Sequence, residues 1–481
     1  MTALAEDCTP YYEALTSRDP RFDGRFFVAV RTTGIYCRPI CPAPNPKAQN
    51  CAYYRSAAEA ERDGYRPCKR CRPETAPNSA AWNGTSASVR RALDLIAEGA
   101  LNEGSVDALA GRLGLGERHL RRLFERHIGA SPLEVAATQR LHLARQLLVQ
   151  TRLPMTEVAI ASGYASLRRF NAAFKATYGG PPSSLRPAKG RGASAATQAP
   201  ITLMLGYQPP YDWEAMLGFL RSRAIPGLEA CDEASYRRAF QVMGRPGSVR
   251  VTNDPKRRAL LAQLEIDGVV SLLPIVARLR ALFDLDMAPA SCLETLSGDP
   301  HLAPLVATAP GLRVPGCWDP FELLVRAILG QQVTVAAART LAGRLIARCG
   351  GAPGQFPAPD AVANANLDGI GMPGRRIETL QTLAKAVAEG RIDLDPGSNP
   401  ERLEADLLAT PGIGKWTVGY VRLRALKDPD AFPRADIALL RAAQGLGFAE
   451  THRELERAAE RWRPWRATAV LHLWRSLSQG A

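Results

Sequence analysis

The amino-acid sequence predicts a multidomain, predominantly α-helical protein with smaller α/β parts. The chain has 481 residues, of which 46% are apolar, so three or four domains can each bury a core. Apolar residues recur three and four positions apart through 86–187 and again from about Phe321 onward, which indicates amphipathic helices. Strand-like alternation instead marks Val249–Thr252 and Leu260–Ile266. Helices therefore dominate the prediction, and strands are expected ahead of the last helical region.

Two stretches rich in small, polar and turn-forming residues indicate linkers at 73–86 and 187–200. They leave three segments. We expect 1–75 to be a small α/β domain that binds a metal and 86–187 to be all α. The last segment is predicted to divide into an α/β subdomain at 200–283 and an all-α domain at 284–481.

The charge of the chain favours a polyanionic partner. The net charge is +14, and residues 86–190 carry 15 lysines and arginines against 8 aspartates and glutamates. A solvated basic surface is the alternative. No apolar run approaches the roughly 18 residues that span a bilayer, and the N-terminus lacks a signal-peptide pattern. Ten cysteines are also too few for a disulfide-stapled secreted chain. We expect a cytoplasmic protein with no membrane partner.

Paired cysteines predict a metal site in the first segment. Residues 37–41 read C-R-P-I-C and residues 68–71 read C-K-R-C, with 26 residues between the pairs. Two such pairs supply the four thiolates that tetrahedral zinc accepts. The spacing alone is equally compatible with a zinc ion that only stabilises a small domain, and it does not choose among the four sulfurs. Cys51 lies outside the pattern.

The sequence around these cysteines resembles the N-terminal domain of the Ada adaptive-response regulators over nearly all of 1–75. The resemblance rests on R-T-T-G-I-Y-C-R-P-I-C and G-Y-R-P-C-K-R-C. It implies that Cys37 is both a zinc ligand and the irreversible acceptor of a methyl group from a DNA methylphosphotriester. The remaining implied ligands are Cys41, Cys68 and Cys71. Transfer would convert one thiolate to a thioether and reduce the charge of the site from about −2 to about −1, so we expect methylation to increase DNA affinity. Candidate phosphate contacts beside the ligands are Arg38, Arg66, Lys69, Arg70 and Arg72.

The sequence pattern of a helix-turn-helix motif occurs twice in the second segment. One helix is expected to end near Leu113 and a basic one to begin near Gly116, and a second such unit places a helix start near Ser166. Two such units are suited to binding two successive segments of the DNA major groove. The pattern from Ala161 to Arg186 resembles the AraC-type DNA-binding domain, which implies promoter binding, with RNA polymerase as a further candidate partner. Candidate DNA contacts are Arg118, His119, Arg122, Arg168, Arg169 and Asn171. Apolar residues expected in the core instead are Leu120, Leu123, Phe124, Phe170 and Phe174.

The third segment contains a helix, the hairpin P-G-I-G-K and a second helix within 403–426. Gly412 and Gly414 permit a tight turn whose backbone N–H groups, with Lys415, can approach a DNA phosphate. The hairpin and the downstream P-R-A-D resemble the helix-hairpin-helix DNA glycosylase superfamily. That resemblance assigns the catalytic role to Asp436.

Further motifs at 207–220, 310–333 and 460–466 resemble AlkA-type 3-methyladenine DNA glycosylases over nearly all of 200–481. The resemblance implies a base pocket of Trp416, Tyr420 and Trp465. Trp416 and Tyr420 are four residues apart and share a helix face, although aromatics at that spacing are commonly core residues. A flipped, cationic alkylated base would lie against aromatic faces while Asp436 stabilises the cationic sugar or activates water.

Departures from these families refine the predicted function. The lyase branch of the superfamily uses a lysine where this chain has Trp416, and Lys415 is one residue away, so we predict a monofunctional glycosylase. Gln332 occupies a position where related enzymes can insert an apolar wedge into DNA. The P-C-H-R motif of guanine-O6 methyltransferases is absent. The sequence thus predicts alkylation repair joined to its transcriptional regulation. The alternative is a regulator with a structural zinc site and a catalytically silent glycosylase-like domain.

Overall fold

We describe a computed structural model of the chain, which covers residues 8–76, 87–186, 200–350, 354–395 and 397–479. The two predicted linkers lie largely outside the described residues. By its internal contacts the chain forms two compact units. The first comprises 1–209, 241–277 and 285–287, and the second comprises 210–240, 278–284 and 288–481. The predicted fold class, mostly helical with smaller α/β parts, is confirmed.

The N-terminal module of the first unit, residues 8–76, is a small α/β structure. Its elements are α1 (Thr9–Thr16), β1 (Phe27–Val30), β2 (Ile35–Cys37), β3 (Cys51–Tyr54), α2 (Ala57–Arg62) and β4 (Arg66–Pro67). The sheet order is β3-β1-β2-β4, with β1 antiparallel to both neighbours and β2 parallel to β4. Alternate residues of β1 face opposite sides: Val28 packs in a cluster with Leu15 of α1, and Phe27 packs in another with Ala60 of α2. The sheet therefore has a core on each face.

Helices follow in the first unit: α3 (Ala87–Ala97), α4 (Val106–Arg112), α5 (Glu117–Ile128), α6 (Pro132–Gln150), α7 (Met155–Ala161) and α8 (Leu167–Tyr178). Serine side chains cap the N-termini of three of them, and α6 begins with a capping box between Ser131 and Glu134. The helices α4–α5 and α7–α8 form the two predicted helix-turn-helix units, and α8 begins directly after its cap Ser166.

The region 200–287 supplies the second α/β part. Its elements are β5 (Ile201–Gly206), α9 (Trp213–Arg223), β6 (Glu229–Cys231), β7 (Ser235–Val242), β8 (Arg245–Asp254), β9 (Ala259–Ile266) and α10 (Leu273–Leu282). Within the first unit, β9 pairs antiparallel with both β5 and β8. In the second unit, β6 pairs antiparallel with the start of β7. The strand-like stretches at Val249–Thr252 and Leu260–Ile266 therefore lie in β8 and β9, as predicted.

The remainder of the second unit is helical. Its helices are α11 (Pro289–Ser297), α12 (Ala303–Thr308), α13 (Pro320–Leu329), α14 (Val335–Cys349), α15 (Pro359–Asn364), α16 (Gly374–Ala388), α17 (Pro400–Leu408), α18 (Lys415–Arg424), α19 (Ile437–Gly445), α20 (His452–Ala459) and α21 (Arg466–Gln479). Leu324, Val325 and Ile328 of α13 are fully buried in a large apolar cluster that also holds Val421 of α18. None of the helices in the described ranges has both the length and the apolar character needed to cross a membrane.

Candidate metal centre and candidate active site

The two cysteine pairs meet in the N-terminal module. Cys37 ends β2, Cys68 directly follows β4, and the ligand atoms of Cys37, Cys41, Cys68 and Cys71 all lie within 4.8 Å of one another. The Sγ atoms of Cys41 and Cys68 are 4.0 Å apart. Sulfurs bound tetrahedrally to zinc at about 2.3 Å are separated by about 3.8 Å, so the spacing fits one zinc ion.

The chemistry of the four sulfurs also fits a cation. A hydrogen bond from Cys37 lowers the pKa of Cys41 to about 7, whereas contact with Cys37 raises the pKa of Cys71. The crowded thiols thus compete for protons, and a divalent cation at their centre would allow all four to be thiolates. The backbone N–H groups of Arg38 and Arg70 donate to Cys71 Sγ and Cys68 Sγ at 3.3 and 3.4 Å.

The four sulfurs differ in accessibility. Cys41, Cys68 and Cys71 are buried, and Cys37 is the partly exposed one. Cys37 also lines a cavity of about 640 Å³, whose wall includes three exposed cationic residues. They are Arg66, Lys69 and Arg70. The cavity therefore places a cysteine sulfur beside a basic surface.

Two of the arginines that we considered as phosphate contacts have internal partners instead. The side chain of Arg38 is 12% exposed; it pairs with Asp23 and donates to the carbonyl oxygen of Cys71 at 3.2 Å. Arg72 Nε donates to Glu74 Oε1 at 3.2 Å. These internal contacts stabilise the loops that carry the metal ligands. Sequence position beside a ligand did not distinguish internally paired arginines from exposed ones.

The metal site is attached to α6 by polar contacts that the sequence did not reveal. Arg145 Nη2 donates to the carbonyl oxygen of Cys68 at 3.0 Å, and Arg145 Nη1 donates to Glu74 Oε2 at 2.7 Å. Gln146 Nε2 donates to the Glu74 carbonyl oxygen at 3.0 Å. Glu74 lies in the stretch predicted as a linker, so part of that stretch is instead packed structure. No local motif marks this contact, since its partners are 71 residues apart.

The predicted DNA-contact residues lie on the solvent side of α5 and α8. All six are exposed: Arg118, His119, Arg122, Arg168, Arg169 and Asn171. Of the apolar residues expected in the core, Leu123 is partly buried and the other four are fully buried. The four are Leu120, Phe124, Phe170 and Phe174. The two helices thus separate an apolar core face from a basic outer face, which is the arrangement that a reading helix requires.

In the second unit, α17, the hairpin and α18 form the predicted helix-hairpin-helix. Gly412 has φ +87°, and a Cβ there would lie 2.3 Å from Thr379 Oγ1. Thr379 in turn donates to the Pro411 carbonyl oxygen at 3.0 Å. The turn therefore requires glycine for both backbone and packing reasons. Gly412, Gly414 and Lys415 are exposed, and so are available to a phosphate.

Asp436 is buried and directly bonded to one of the predicted pocket aromatics. Its Oδ2 accepts a hydrogen bond from Trp416 Nε1 at 2.7 Å, and its Oδ1 accepts one from the Leu439 backbone N–H at 2.8 Å, which caps α19. A Cβ at Gly419 would lie 2.5 Å from Pro433 Cα, so the glycine lets the loop that carries Asp436 approach α18 closely. Capping and bonding to Trp416 use different oxygens, and the two roles coexist.

A cavity of about 840 Å³ adjoins this carboxylate. Trp416 and Tyr420 line it, with ring centroids 5.2 Å apart and planes 16° apart. Trp465 is buried but is not among the residues that line the cavity. The structure instead places other aromatic residues there, which sequence reasoning missed. They are Phe219, Trp318 and Trp474.

Charged groups also line the cavity. Arg424 Nη1 donates to the Tyr420 hydroxyl at 2.7 Å, and Arg223 lies with its guanidinium 3.8 Å from the centre of the Phe219 ring. Burial raises the pKa of Tyr420, but the two arginines lower it by more, so the net shift is downward. Burial lowers the pKa of Arg223.

Gln332 lies at the predicted wedge position in an unusual backbone conformation. It is exposed and has φ +56°, a region that residues other than glycine rarely occupy. The preceding Gln331 holds the segment to the hairpin: its Nε2 donates to the Gly412 carbonyl oxygen and to Thr417 Oγ1, both at 3.2 Å. Strain of this kind clusters at functional sites.

Comparison with known proteins decides the family. Four family models match: the metal binding domain of Ada (10–74), a helix-turn-helix domain (109–188), the AlkA N-terminal domain (202–319) and the HhH-GPD superfamily of base excision DNA repair proteins (325–466). A probable bifunctional transcriptional activator/DNA repair enzyme AlkA from Mycobacterium tuberculosis is 40% identical, over 98% of this chain and 97% of the relative. This chain belongs to that family.

Further relatives match the two halves of the chain separately. DNA-3-methyladenine glycosylase 2 of Escherichia coli is 37% identical over 56% of this chain and 95% of its own length. Bifunctional transcriptional activator/DNA repair enzyme AdaA of Bacillus subtilis is 30% identical over 36% of this chain and 81% of its own. The family therefore combines a regulatory half with a glycosylase half. The predicted zinc site is confirmed by the Ada domain match together with the four converging cysteines.

Proposed function

We propose that this chain repairs alkylated DNA in two ways and uses one of them as a regulatory signal. Cys37 accepts a methyl group irreversibly from a DNA methylphosphotriester, and Asp436 supports hydrolytic release of alkylated bases such as 3-methyladenine. The helix-turn-helix units bind promoter DNA. The observation that carries the first activity is the position of Cys37, the partly exposed sulfur of the cluster, in a cavity with a basic wall.

Methyl transfer follows from the placement of that sulfur. Bound zinc would keep the sulfur as a thiolate at neutral pH, and Cys37, Cys41, Cys68 and Cys71 would hold the ion. The Cys37 sulfur attacks the methyl carbon, the S–C bond forms as the C–O bond breaks, and the electron pair stays on the phosphate oxygen. Arg66, Lys69 and Arg70 line the same cavity and are suited to hold the flanking phosphates. The thioether has no route back to a thiolate, so the reaction occurs once.

Base release follows from the second cavity. A flipped base enters between aromatic faces that include Trp416 and Trp474, and the Asp436 carboxylate stabilises positive charge on the sugar or orients the attacking water. Lys415 is exposed and is not part of the cavity lining, and the group that α18 presents to Asp436 is the Trp416 indole. With no amine at that position, we propose a monofunctional hydrolase. The exposed hairpin residues Gly412, Gly414 and Lys415 bind a DNA phosphate, and Gln332 fills the gap left by the flipped nucleotide.

Regulation follows from the DNA-reading helices. Arg118, His119 and Arg122 on α5 contact one major-groove segment. Arg168, Arg169 and Asn171 on α8 contact the next. We propose that the methylated protein acts as an activator through RNA polymerase in the cytoplasm, in keeping with relatives that are named transcriptional activators.

One experiment tests both repair activities. The full-length protein is incubated with methylated duplex DNA, followed by peptide mass spectrometry and measurement of released base. We expect one methyl group on the peptide that contains Cys37 and catalytic release of 3-methyladenine. Cys37→Ser should lose only the methyl transfer, and Cys51→Ala, which changes a buried cysteine outside the cluster, should keep both. A methyl group on a different cysteine would overturn the acceptor assignment. Absence of base release would leave a DNA-binding regulator with a silent glycosylase fold.

A further inference from the structure

The Tyr420 hydroxyl is held by a fixed cation on the cavity wall. Arg424 donates to it at 2.7 Å, and the same guanidinium donates to the carbonyl oxygens of Pro315 and Gly316 at 2.8 and 2.7 Å. Arg424 is buried and cannot turn away without breaking these bonds. The guanidinium of Arg223, 3.8 Å from the centre of the Phe219 ring, adds a second positive charge to the cavity wall and favours the phenolate form of Tyr420. Both arginines, like Tyr420, line the cavity that contains Asp436.

This arrangement fixes what the hydroxyl can do. A phenolic hydroxyl offers two acceptor positions and one proton, and arginine only donates. Arg424 therefore occupies an acceptor position of the hydroxyl oxygen and cannot take its proton. Among the described residues, no carbonyl or carboxylate oxygen accepts that proton. The hydroxyl proton is thus available to a ligand in the cavity.

We propose that Tyr420 donates its hydroxyl proton to the leaving base, that Arg424 positions the hydroxyl, and that the charges of Arg424 and Arg223 stabilise the phenolate that results. The inference rests on the proposed glycosylase function and names the group that assists departure. As the C1′–N bond breaks, its electron pair moves into the base, and the Tyr420 proton passes to a ring nitrogen or carbonyl oxygen of that base. Water adds to C1′, and its proton returns to the phenolate through Asp436 or solvent.

The electrostatics of this wall agree with the role. The net lowering of the pKa of Tyr420 by the two arginines makes the phenol a stronger acid than a buried tyrosine would otherwise be. Proton donation matters most for a neutral damaged base, because such a base leaves poorly unless it is protonated. A cationic base such as 7-methylguanine leaves without it.

The test compares neutral and cationic leaving bases in one protein. Single-turnover release of hypoxanthine, a neutral base, and of 7-methylguanine is measured with wild type and Tyr420→Phe on otherwise identical duplexes. Phenylalanine keeps the ring that stacks on Trp416 and removes only the hydroxyl. We expect release of hypoxanthine to fall at least tenfold more than release of 7-methylguanine. Equal losses on the two bases, or no loss on either, would overturn the proposal.

A second variant tests the role of the positive charge of Arg223. Arg223→Met keeps an apolar contact with Phe219 and removes the cation, so the hypoxanthine to 7-methylguanine rate ratio should fall in the same direction by a smaller factor. Arg221→Met, an exposed arginine on the same helix, should leave the ratio unchanged. A packing defect would lower both rates together and leave the ratio constant, which would also count against the proposal. Release of neither base by wild type would show that the glycosylase function itself is wrong, whereas release of 7-methylguanine alone would reject only the proton donor.

Discussion

Arg145 of α6 and Glu74 of the N-terminal module form an ion pair of 2.7 Å in which the two side chains are 4% and 0% exposed. The same guanidinium donates to the carbonyl oxygen of the zinc ligand Cys68. Because α6 follows the first helix-turn-helix unit and precedes the second, the ion pair links the metal site to the helix that connects these two units. A buried polar contact therefore joins the metal site to α6.

Removal of this arginine should therefore destabilise the metal site. Arg145→Met leaves the buried Glu74 carboxylate with Arg72 as its remaining cationic partner and also removes the bond to the Cys68 carbonyl oxygen. Removing one partner of a buried ion pair costs up to about 3–5 kcal/mol. Thermal unfolding of the full-length protein, monitored by release of zinc to a chromogenic chelator, should show release at lower temperature. The matched control is Arg121→Met, whose ion pair with Glu117 is exposed and is worth about 0.3–0.5 kcal/mol. Similar release temperatures for the two variants would contradict the structural role assigned to Arg145.

Asp436→Asn should separate catalysis from helix capping. Asparagine can still accept the Leu439 N–H, so the cap survives, but the negative charge is lost and the amide group faces the Trp416 N–H. The charge is needed most when the sugar becomes positive, in the transition state. Single-turnover release of 3-methyladenine should fall by a factor of about 100 or more, with DNA binding and methyl transfer to Cys37 retained.

The control for this variant is another capping aspartate of the same unit. Asp319 caps α13 through the Glu322 N–H and is not among the residues that line the cavity. Asp319→Asn should leave the rate of base release within a few-fold of wild type. If the two variants release base at similar rates, Asp436 is only a cap and the catalytic assignment is wrong.

Local patterns made most of the fold predictable. The cysteine spacing made the two ligand pairs predictable, because one tight turn brings together the two sulfurs of each pair. Four thiolates are the number that tetrahedral zinc accepts, which predicted that the two pairs share one ion. The helix starts at Gly116 and Ser166 follow from capping and turn residues, which act within one helical turn. The strands at 245–254 and 259–266 follow from alternation and a short connection.

Contacts between distant segments were not predictable in this way. Trp465 precedes α21 and Trp474 lies within it, and only the packing of that helix decides which indole reaches the cavity. Arg38 and Arg70 flank ligands alike in sequence, yet one is internal and the other is exposed, because Asp23 lies against only the first. The Arg145–Glu74 pair depends on how two modules pack, which no spacing rule encodes.

Paired tryptophan variants test the reassignment of the pocket. Trp474→Leu removes an aromatic face from the cavity, so it should raise the KM for 3-methyladenine release and lower kcat/KM by about 10-fold or more, in line with the roughly 1–3 kcal/mol that base–aromatic stacking supplies. Trp465→Leu removes a buried side chain outside the cavity and should lower thermal stability more than activity. Comparing melting temperature with kcat/KM for both variants is decisive: a selective loss of activity in Trp465→Leu would restore that residue to the pocket.

Methylation of Cys37 should strengthen promoter binding in a way that depends on salt. Conversion of one zinc-bound thiolate to a thioether removes one negative charge beside the basic wall that includes Arg66, Lys69 and Arg70, so repulsion of the DNA phosphates falls. In counterion terms the methylated protein gains about one effective phosphate contact, and its slope of log affinity against log salt should steepen by about 0.9. The ratio of methylated to unmethylated affinity should therefore fall by about 3- to 4-fold between 50 and 200 mM salt.

Affinities are measured by fluorescence anisotropy on one promoter duplex. The control is Cys37→Ser protein exposed to the same methylated DNA, because it cannot accept the methyl group. Parallel salt slopes for the two forms would contradict the charge mechanism, and any gain in affinity on methylation would then arise from packing, such as the Arg145 contact.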